Sequence, residues 1–531
     1  MSLLFSFLLF LCSGICSAPE ETVLEVQFGQ PARAALRQSE SPDGGARILL
    51  HMLEKRLRGP EFPADGPFPL TPGPVFAWEL TQDQIAEAAR FGSLTLKSPD
   101  ASFPKPFETL RGRYRAQLAL RLGGAPFQRQ DEVVVTGSVS DLEVEADRPR
   151  IHEMQLDGPV APPPRTIEPG ERIQEIALAS PILARTARVR ETWRTSDHRG
   201  FVVLPDAYDE LNAPRRRWPV IYMIPGSKTA LEHARAIAKI LHEPMMKALI
   251  PQAIWVVLDP KSAYGHHFFT NTPLQGHRAE ALVTELIPWL DVRYRTIDDQ
   301  GARLLVGEEQ GGRAALTLLL EHPDVFSNAW AFSPDAVSFE ALGCIDLVRD
   351  ANAFVDQNGA ERPAMRTVLS EDREIVHLDV MDEILLSETL SGNGRSAQKW
   401  DELRATFGTL QTRNDLARWP FDPETGRMRP AEVMHWMTLD LAERVRTRTE
   451  LARRLNEDAR IFIGENDERY RNLGVRFLQR TVENALVNED PARGPWVVEI
   501  EDSNATSTNA ISRLPAHDEM VTLLRERGFH D

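Results

Sequence analysis

Along the first part of the chain the apolar positions come in short runs, often alternating with polar ones, between stretches dense in proline and glycine. TVLEVQF, ARILLHMLEKRL, GPVFAWEL, YRAQLALRL, DEVVVTGSV and RIHEMQLDG each combine that alternation with β-branched or aromatic residues. Period-two patterning with turn signals between the runs predicts half-buried strands, and hence a β-rich, sandwich-like domain over residues 19–164. PVAPPPRTIEPGER, Pro159–Arg172, is polar and stiffened by proline, which predicts a linker; residues 165–199 are linker and lead-in to the next domain.

From about residue 200 the pattern changes. HRGFVVLP, WPVIYMIPG, AIWVVLDP, ARLLVG, NAWAFSP, ARIFIGEND and PWVVEIED are near-continuous apolar runs, as expected of strands buried on both faces. Between them LEHARAIAKILHEPMMKAL, GHRAEALVTELIPWLDVRY and YRNLGVRFLQRTVENAL place apolar residues at helical spacing. Strand alternating with helix predicts an α/β domain over 200–531, a doubly wound and mostly parallel sheet. The rhythm loosens at about 349–446, a helical insertion, and a final helix is expected from about His517. One segment stands apart: LLVGEEQGGRAALTLLLEHPDVF, Leu304–Phe326, reads as strand, glycine-flanked turn and helix. That is the context in which G-x-S-x-G presents a reactive serine, but here Glu309 stands at the centre between Gly307 and Gly311.

Charge and cysteine content narrow the function. A formal net charge of −17 with scattered Lys and Arg repels phosphate backbones and anionic lipid, which argues against nucleic-acid and membrane-surface roles. Leu3–Leu11 is almost continuously apolar and is followed by small residues at Ser13, Gly14, Ser17 and Ala18. Residues 1–18 thus read as an export signal too short to span a bilayer, which predicts a periplasmic or extracellular protein with no membrane span after signal removal. No Lys or Arg precedes the run, so a buried N-terminal strand or short anchor is the competing reading. Cys12 and Cys16 fall in that segment, which leaves Cys344 alone and excludes an internal disulfide and cysteine-based zinc chemistry.

From Gly200 onward the chain resembles the Putative esterase family of α/β-hydrolases, which includes enterochelin-esterase-like and esterase-D-like proteins. The resemblance is carried by FVVLPDAYDE (Phe201–Glu210), a strand followed by a P-x-x-Y turn, and by RWPVIYMIPG (Arg217–Gly226), where the family has a strand ending in His-Gly. It continues through AYGHHFFTNTPLQG (Ala263–Gly276) beside the pocket, ALVTELIPWLDVRYRTI before the elbow strand, and EHPDVFSNAWAFSP (Glu321–Pro334) after the elbow helix. The β-rich part also resembles a module that precedes this domain in larger secreted members. The resemblance implies an α/β-hydrolase fold and serine ester hydrolysis. It places the nucleophile at position 309, the orienting acid at Asp467, the histidine at Thr506, oxyanion donors at Gly226 and Gln310, and pocket-lining residues at His266 and His267.

Ester hydrolysis on this fold needs a nucleophile, a histidine to take its proton, a carboxylate to orient that histidine and two N–H groups facing the oxyanion. Glu309 has no hydroxyl, and its carboxylate is aimed where the oxyanion would form. As a residue opening a helix it is also favoured by the dipole, by ~0.3–1 kcal/mol. Thr506 lies in the expected loop SNATSTNAIS, and Pro225 replaces the histidine of His-Gly. With two of three triad positions substituted, the expectation is an exported esterase-family homologue without catalysis, holding a small-molecule ligand in a vestigial pocket or acting as a scaffold. The alternative is an active carboxylic-ester hydrolase that uses Glu309 as a non-standard nucleophile and His517 or His266 as a displaced base.

Other constellations add little. Glu374, His377, Asp379, Asp382 and Glu383 match no metal-ligand spacing, and there is no phosphate-cradling loop or dinucleotide fingerprint, so no cofactor is expected. Trp400, Trp419 and Trp436 either cap the pocket or pack an amphipathic insertion. Asn504-Ala505-Thr506 is a glycosylation sequon.

Overall fold

The computed structural model of the protein describes residues 23–38, 46–56, 73–122, 133–144, 151–158, 167, 171–187, 196–209, 216–226, 229–244, 250–262, 264–370, 373–391, 398–411, 417–488 and 496–529. The expected export signal and most of the proline-rich linker lie outside the described residues. Among the described residues no helix is long and apolar enough to cross a membrane. The chain divides into two compact units, the first running to Ala161 and the second taking in everything from Pro162 onward.

The first unit is β-rich. Its larger sheet orders the strands Ala101–Phe103, Val75–Leu80, Ala46–Glu54, Gly112–Leu122 and Val133–Thr136, with Ser140–Val144 also pairing to Gly112–Leu122. A three-stranded sheet sets Val23–Phe28 between Ser93–Leu96 and Ile151–Leu156. Leu24, Val26, Ile48, Leu50, Phe76, Trp78, Leu118 and Leu120 share one core. Two helices that strand alternation does not reveal, Gln30–Gln38 and Gln82–Phe91, help to close it through Ala32, Leu36, Ile85 and Ala88. The second starts where Thr81 and Gln84 form a reciprocal capping box and stops at Gly92 in the left-handed conformation.

The second unit is built on eight strands: β1 (Ile173–Ala179), β2 (Asp197–Val203), β3 (Val220–Ile224), β4 (Ile254–Leu258), β5 (Arg303–Glu308), β6 (Asn328–Phe332), β7 (Ala459–Gly464) and β8 (Val497–Ile500). Their spatial order is β1-β2-β4-β3-β5-β6-β7-β8. β2 runs antiparallel to both its neighbours, and every pair from β4 to β8 is parallel. The continuous apolar runs divide between two faces. Val220, Tyr222 and Ile224 pack with Leu286, Leu290, Leu318 and Leu478, whereas Ile221 and Met223 pack with Leu241, Met520 and Leu524. The helices that cover these faces include α1 (Ala230–His242), α2 (Gln310–Glu321), α5 (Arg471–Ala485) and α6 (Ala505–Glu526).

Between β6 and β7 the insertion holds an antiparallel hairpin, Pro363–Ser370 with Arg373–Asp379, followed by α3 (Val380–Ser391) and α4 (Lys399–Phe407). It has its own core, in which Trp400, Trp419 and Trp436 join Phe268, Phe339 and Phe407. The last helix differs from expectation. It starts at Ala505, not near His517, because Asn504 and Ser507 form a capping box and Ala505, Thr508 and Ser512 are buried. His517 is therefore in mid-helix, where its ring meets Trp255 edge-on at 5.8 Å.

Candidate functional site

The parallel strands end along one edge of the sheet, the place where such folds put their chemistry. β5 passes there into α2 through Glu309, whose φ of 52° and ψ of −118° are foreign to an L-residue with a side chain. The surroundings hold it. Its N–H donates to Phe332 O at 2.8 Å, and its carbonyl accepts from the N–H groups of Gly312 at 3.0 Å and Asp335 at 3.0 Å. The turn also needs bare backbone on either side. A methyl group on Gly307 would stand 2.1 Å from Gly311 O, and one on Gly311 would stand 2.0 Å from Ile224 O. The elbow geometry is thus intact around a carboxylate.

Asp467 follows β7 and is completely buried. It does not orient an imidazole. Its Oδ1 accepts from the backbone N–H groups of Arg469 at 3.0 Å and Arg471 at 3.0 Å. Arg471 Nε donates to both carboxylate oxygens, at 3.1 and 3.0 Å. The same guanidinium reaches Glu309, with Nη1 3.5 Å from Oε1, and Glu468, with Nη2 3.5 Å from Oε1. Arginine therefore lies between acid and nucleophile positions. Burial opposes its charge, but Asp467, Glu309, Glu468 and Asp335 outweigh burial and push its pKa upward. It carries a permanent positive charge and cannot take up a proton.

The remaining expected residues are placed as follows. Thr506 is exposed on the first turn of α6. Gly226 faces Glu309 so closely that an added methyl group would stand 2.8 Å from Glu309 Oε2. Gln310 Nε2 donates to Glu402 Oε2 at 3.1 Å. His266 and His267 are both buried, and the backbone is left-handed at the next two residues, Phe268 and Phe269. His266 Nδ1 accepts the Phe268 N–H at 2.9 Å, so its Nε2–H donates to Pro225 O at 3.0 Å. Burial lowers its pKa to about 3, and it stays neutral with both nitrogens engaged. His267 Nδ1 accepts the Phe269 N–H at 3.2 Å, and burial holds its pKa well below the usual histidine value.

Two charged groups beside the elbow are not among the expected site residues. Glu308 is buried between His233, 3.1 Å away, and Arg513. Burial works against its charge, but those two partners bring its pKa down to about 2. Glu402, on α4, accepts the His266 N–H at 2.9 Å with one oxygen and Gln310 Nε2 with the other. Its carboxyl thereby joins the insertion to the elbow. Burial raises its pKa to about 7, only partly offset by the His266 N–H. A folded-state pKa raised from 4.5 means a contribution to stability that is full below pH 4.5 and is lost as pH rises through 7. His266, with a lowered pKa, has the opposite slope, so the comparison of interest is between wild type and Glu402→Gln. We expect the variant to gain on wild type steadily from pH 4.5 to 7 in urea unfolding. A constant difference across that range would rule out titration of Glu402.

The acidic stretch in the insertion forms ordinary pairs: Glu374 with Arg366, His377 with Thr367, and Glu383 with Arg469 and Trp400. Asp379 accepts the Asp382 N–H at 2.8 Å as the helix begins. Among the described residues no group of His, Cys, Asp and Glu side chains is placed to hold a metal ion.

Strand order and elbow together define an α/β-hydrolase fold. Residues 195–416 match the model of the Putative esterase family. None of the curated proteins matches the chain. Among solved structures the chain is similar to a ferulic acid esterase at 14% identity, over 65% of this chain and 97% of that one, with a TM-score of 0.38. An S-formylglutathione hydrolase from Agrobacterium tumefaciens shares 16% identity over 65% of this chain and 94% of its own, with a TM-score of 0.35. A ferulic acid esterase from the anaerobic fungus Anaeromyces mucronatus shares 13% over 66% and 92%, with a TM-score of 0.32. Likeness at this level carries no argument about chemistry, which rests on the residues of this chain.

Proposed function

We propose that this protein is an exported, non-hydrolytic relative of the esterases that works by binding or scaffolding. The observation that carries this reading is Arg471 between Asp467 and Glu309. General-base catalysis needs a group that can hold a proton for part of the cycle, and a guanidinium beside several carboxylates is already protonated for good. Glu309 used as a nucleophile would have to leave its ion pair with Arg471. The neutral His266 is committed to Pro225 and to Phe268, which counts against it as a base. Export is supported by the apolar run Leu3–Leu11 and the small residues that follow.

Pure protein should release nitrophenolate from short-chain nitrophenyl esters no faster than buffer does, and a fluorophosphonate probe should leave it unlabelled. Turnover above buffer that disappears in Glu309→Gln would sink the proposal and reinstate an unusual hydrolase.

A further inference from the structure

The insertion's hairpin has one edge in use and one open. Strand Pro363–Ser370 is docked inward: the Arg366 N–H donates to Glu468 O at 2.9 Å, and Arg366 Nε donates to Asp467 O at 3.2 Å. Strand Arg373–Asp379 is the outer member of this two-stranded sheet, and among the described residues no further strand pairs with it. Four consecutive residues of it are exposed, the charged Arg373 and Glu374 and the apolar Ile375 and Val376. Ile375 and Val376 are each 47% exposed although they point to opposite faces. Leu369, Met381 and Leu385 nearby are exposed as well, so five of the eleven exposed large apolar side chains among the described residues fall within residues 369–385. An open edge with exposed apolar side chains is a template for another strand, and its charged residues then decide which strand can pair.

We propose that strand Arg373–Asp379 pairs with the same strand of a second copy, giving a two-fold dimer with a four-stranded sheet. The sequence of the strand, REIVHLD, selects both the occupant and the register. In antiparallel self-pairing centred on Val376, Arg373 faces Asp379 of the partner subunit, and symmetry repeats the pair at the other end. Ile375 then lies beside His377 of the partner subunit, and the two copies of Val376 meet on the axis. Shifting the centre to Ile375 sets Arg373 against histidine, and shifting it half a step sets Arg373 against leucine; both lose the two opposite-charge pairs. Strand addition at a sheet edge supplies main-chain hydrogen bonds, and the alternate side chains supply the selectivity.

Sedimentation velocity on the full chain, from low to tens of micromolar, tests this. Wild type should show a monomer–dimer equilibrium. Val376→Lys should weaken it at least tenfold. Arg373→Asp and Asp379→Lys, each alone, put like charges opposite one another and should also be monomeric. Mixed in equal amounts, these two variants should recover a heterodimer, because each end of the interface then pairs opposite charges. Asp379→Asn keeps an acceptor for the Asp382 N–H and should weaken dimerisation less than Asp379→Lys, which separates loss of pairing from loss of the helix cap. Circular dichroism confirms folding of each variant. A wild type that stays monomeric, a dimer indifferent to the charge changes, or a mixture that fails to associate would each overturn the proposal.

Discussion

Replacing Arg471 with leucine should cost about 3–5 kcal/mol of stability in urea unfolding, the loss expected when one partner of a buried ion pair is removed. The size follows from Asp467, which has no exposed surface and whose two oxygens share the N–H of Arg471 Nε. Leucine would leave that carboxylate with the main-chain N–H groups of residues 469 and 471, while Glu309 and Glu468 lose the guanidinium as well. Adding Asp467→Asn to Arg471→Leu should recover a large part of the loss, because an amide can be buried without a counter-charge. The coupling between the two changes, read from the double-mutant cycle, measures the pair itself. A loss below about 1 kcal/mol would mean that the cluster behaves like an exposed salt bridge.

Gly311→Ala should be comparably damaging, about 3 kcal/mol or more, for an unrelated reason. Its new methyl group would lie 2.0 Å from Ile224 O and 2.7 Å from Pro225 O, main-chain atoms at the end of a central strand that cannot swing aside as a side chain would. Glu309→Gly is the informative contrast. It removes a side chain from a backbone at φ 52°, where strain costs ~1–3 kcal/mol, and gives up a long ion pair in return. Its stability should fall within about 1 kcal/mol of wild type. Tolerance of Gly311→Ala would show that the elbow is looser than its glycines indicate.

The elbow was legible because its signal is local: three apolar residues, two glycines four apart, then a helical run. The position of Asp467 was legible for the same reason, as the first aspartate beyond an apolar strand that ends at Gly464. Arg471 was not. In sequence it is one more cation opening an amphipathic helix, and only the convergence of β5 and β7 at the same sheet edge turns it toward Glu309. The start of α6 was hidden by composition, since SNATSTNAIS is rich in residues that favour turns, and tertiary burial of its small side chains overrides that preference. A capping signal was nonetheless present in Asn504 and Ser507, as it was in Thr81 and Gln84 of the first unit.

Glu309 at a strained elbow also has a stereochemical meaning. Outward from Cβ its side chain passes through one tetrahedral atom to a trigonal carbon bearing two oxygens, the skeleton of a serine acylated at Oγ. A carbon–carbon bond stands where the ester linkage would be, so water has nothing to cleave. One oxygen lies against Gly226, and the other faces Arg471 and the acid behind it. The chain thus encodes, in a single residue, the outline of an acyl group that water cannot release, with a fixed guanidinium between it and the buried acid.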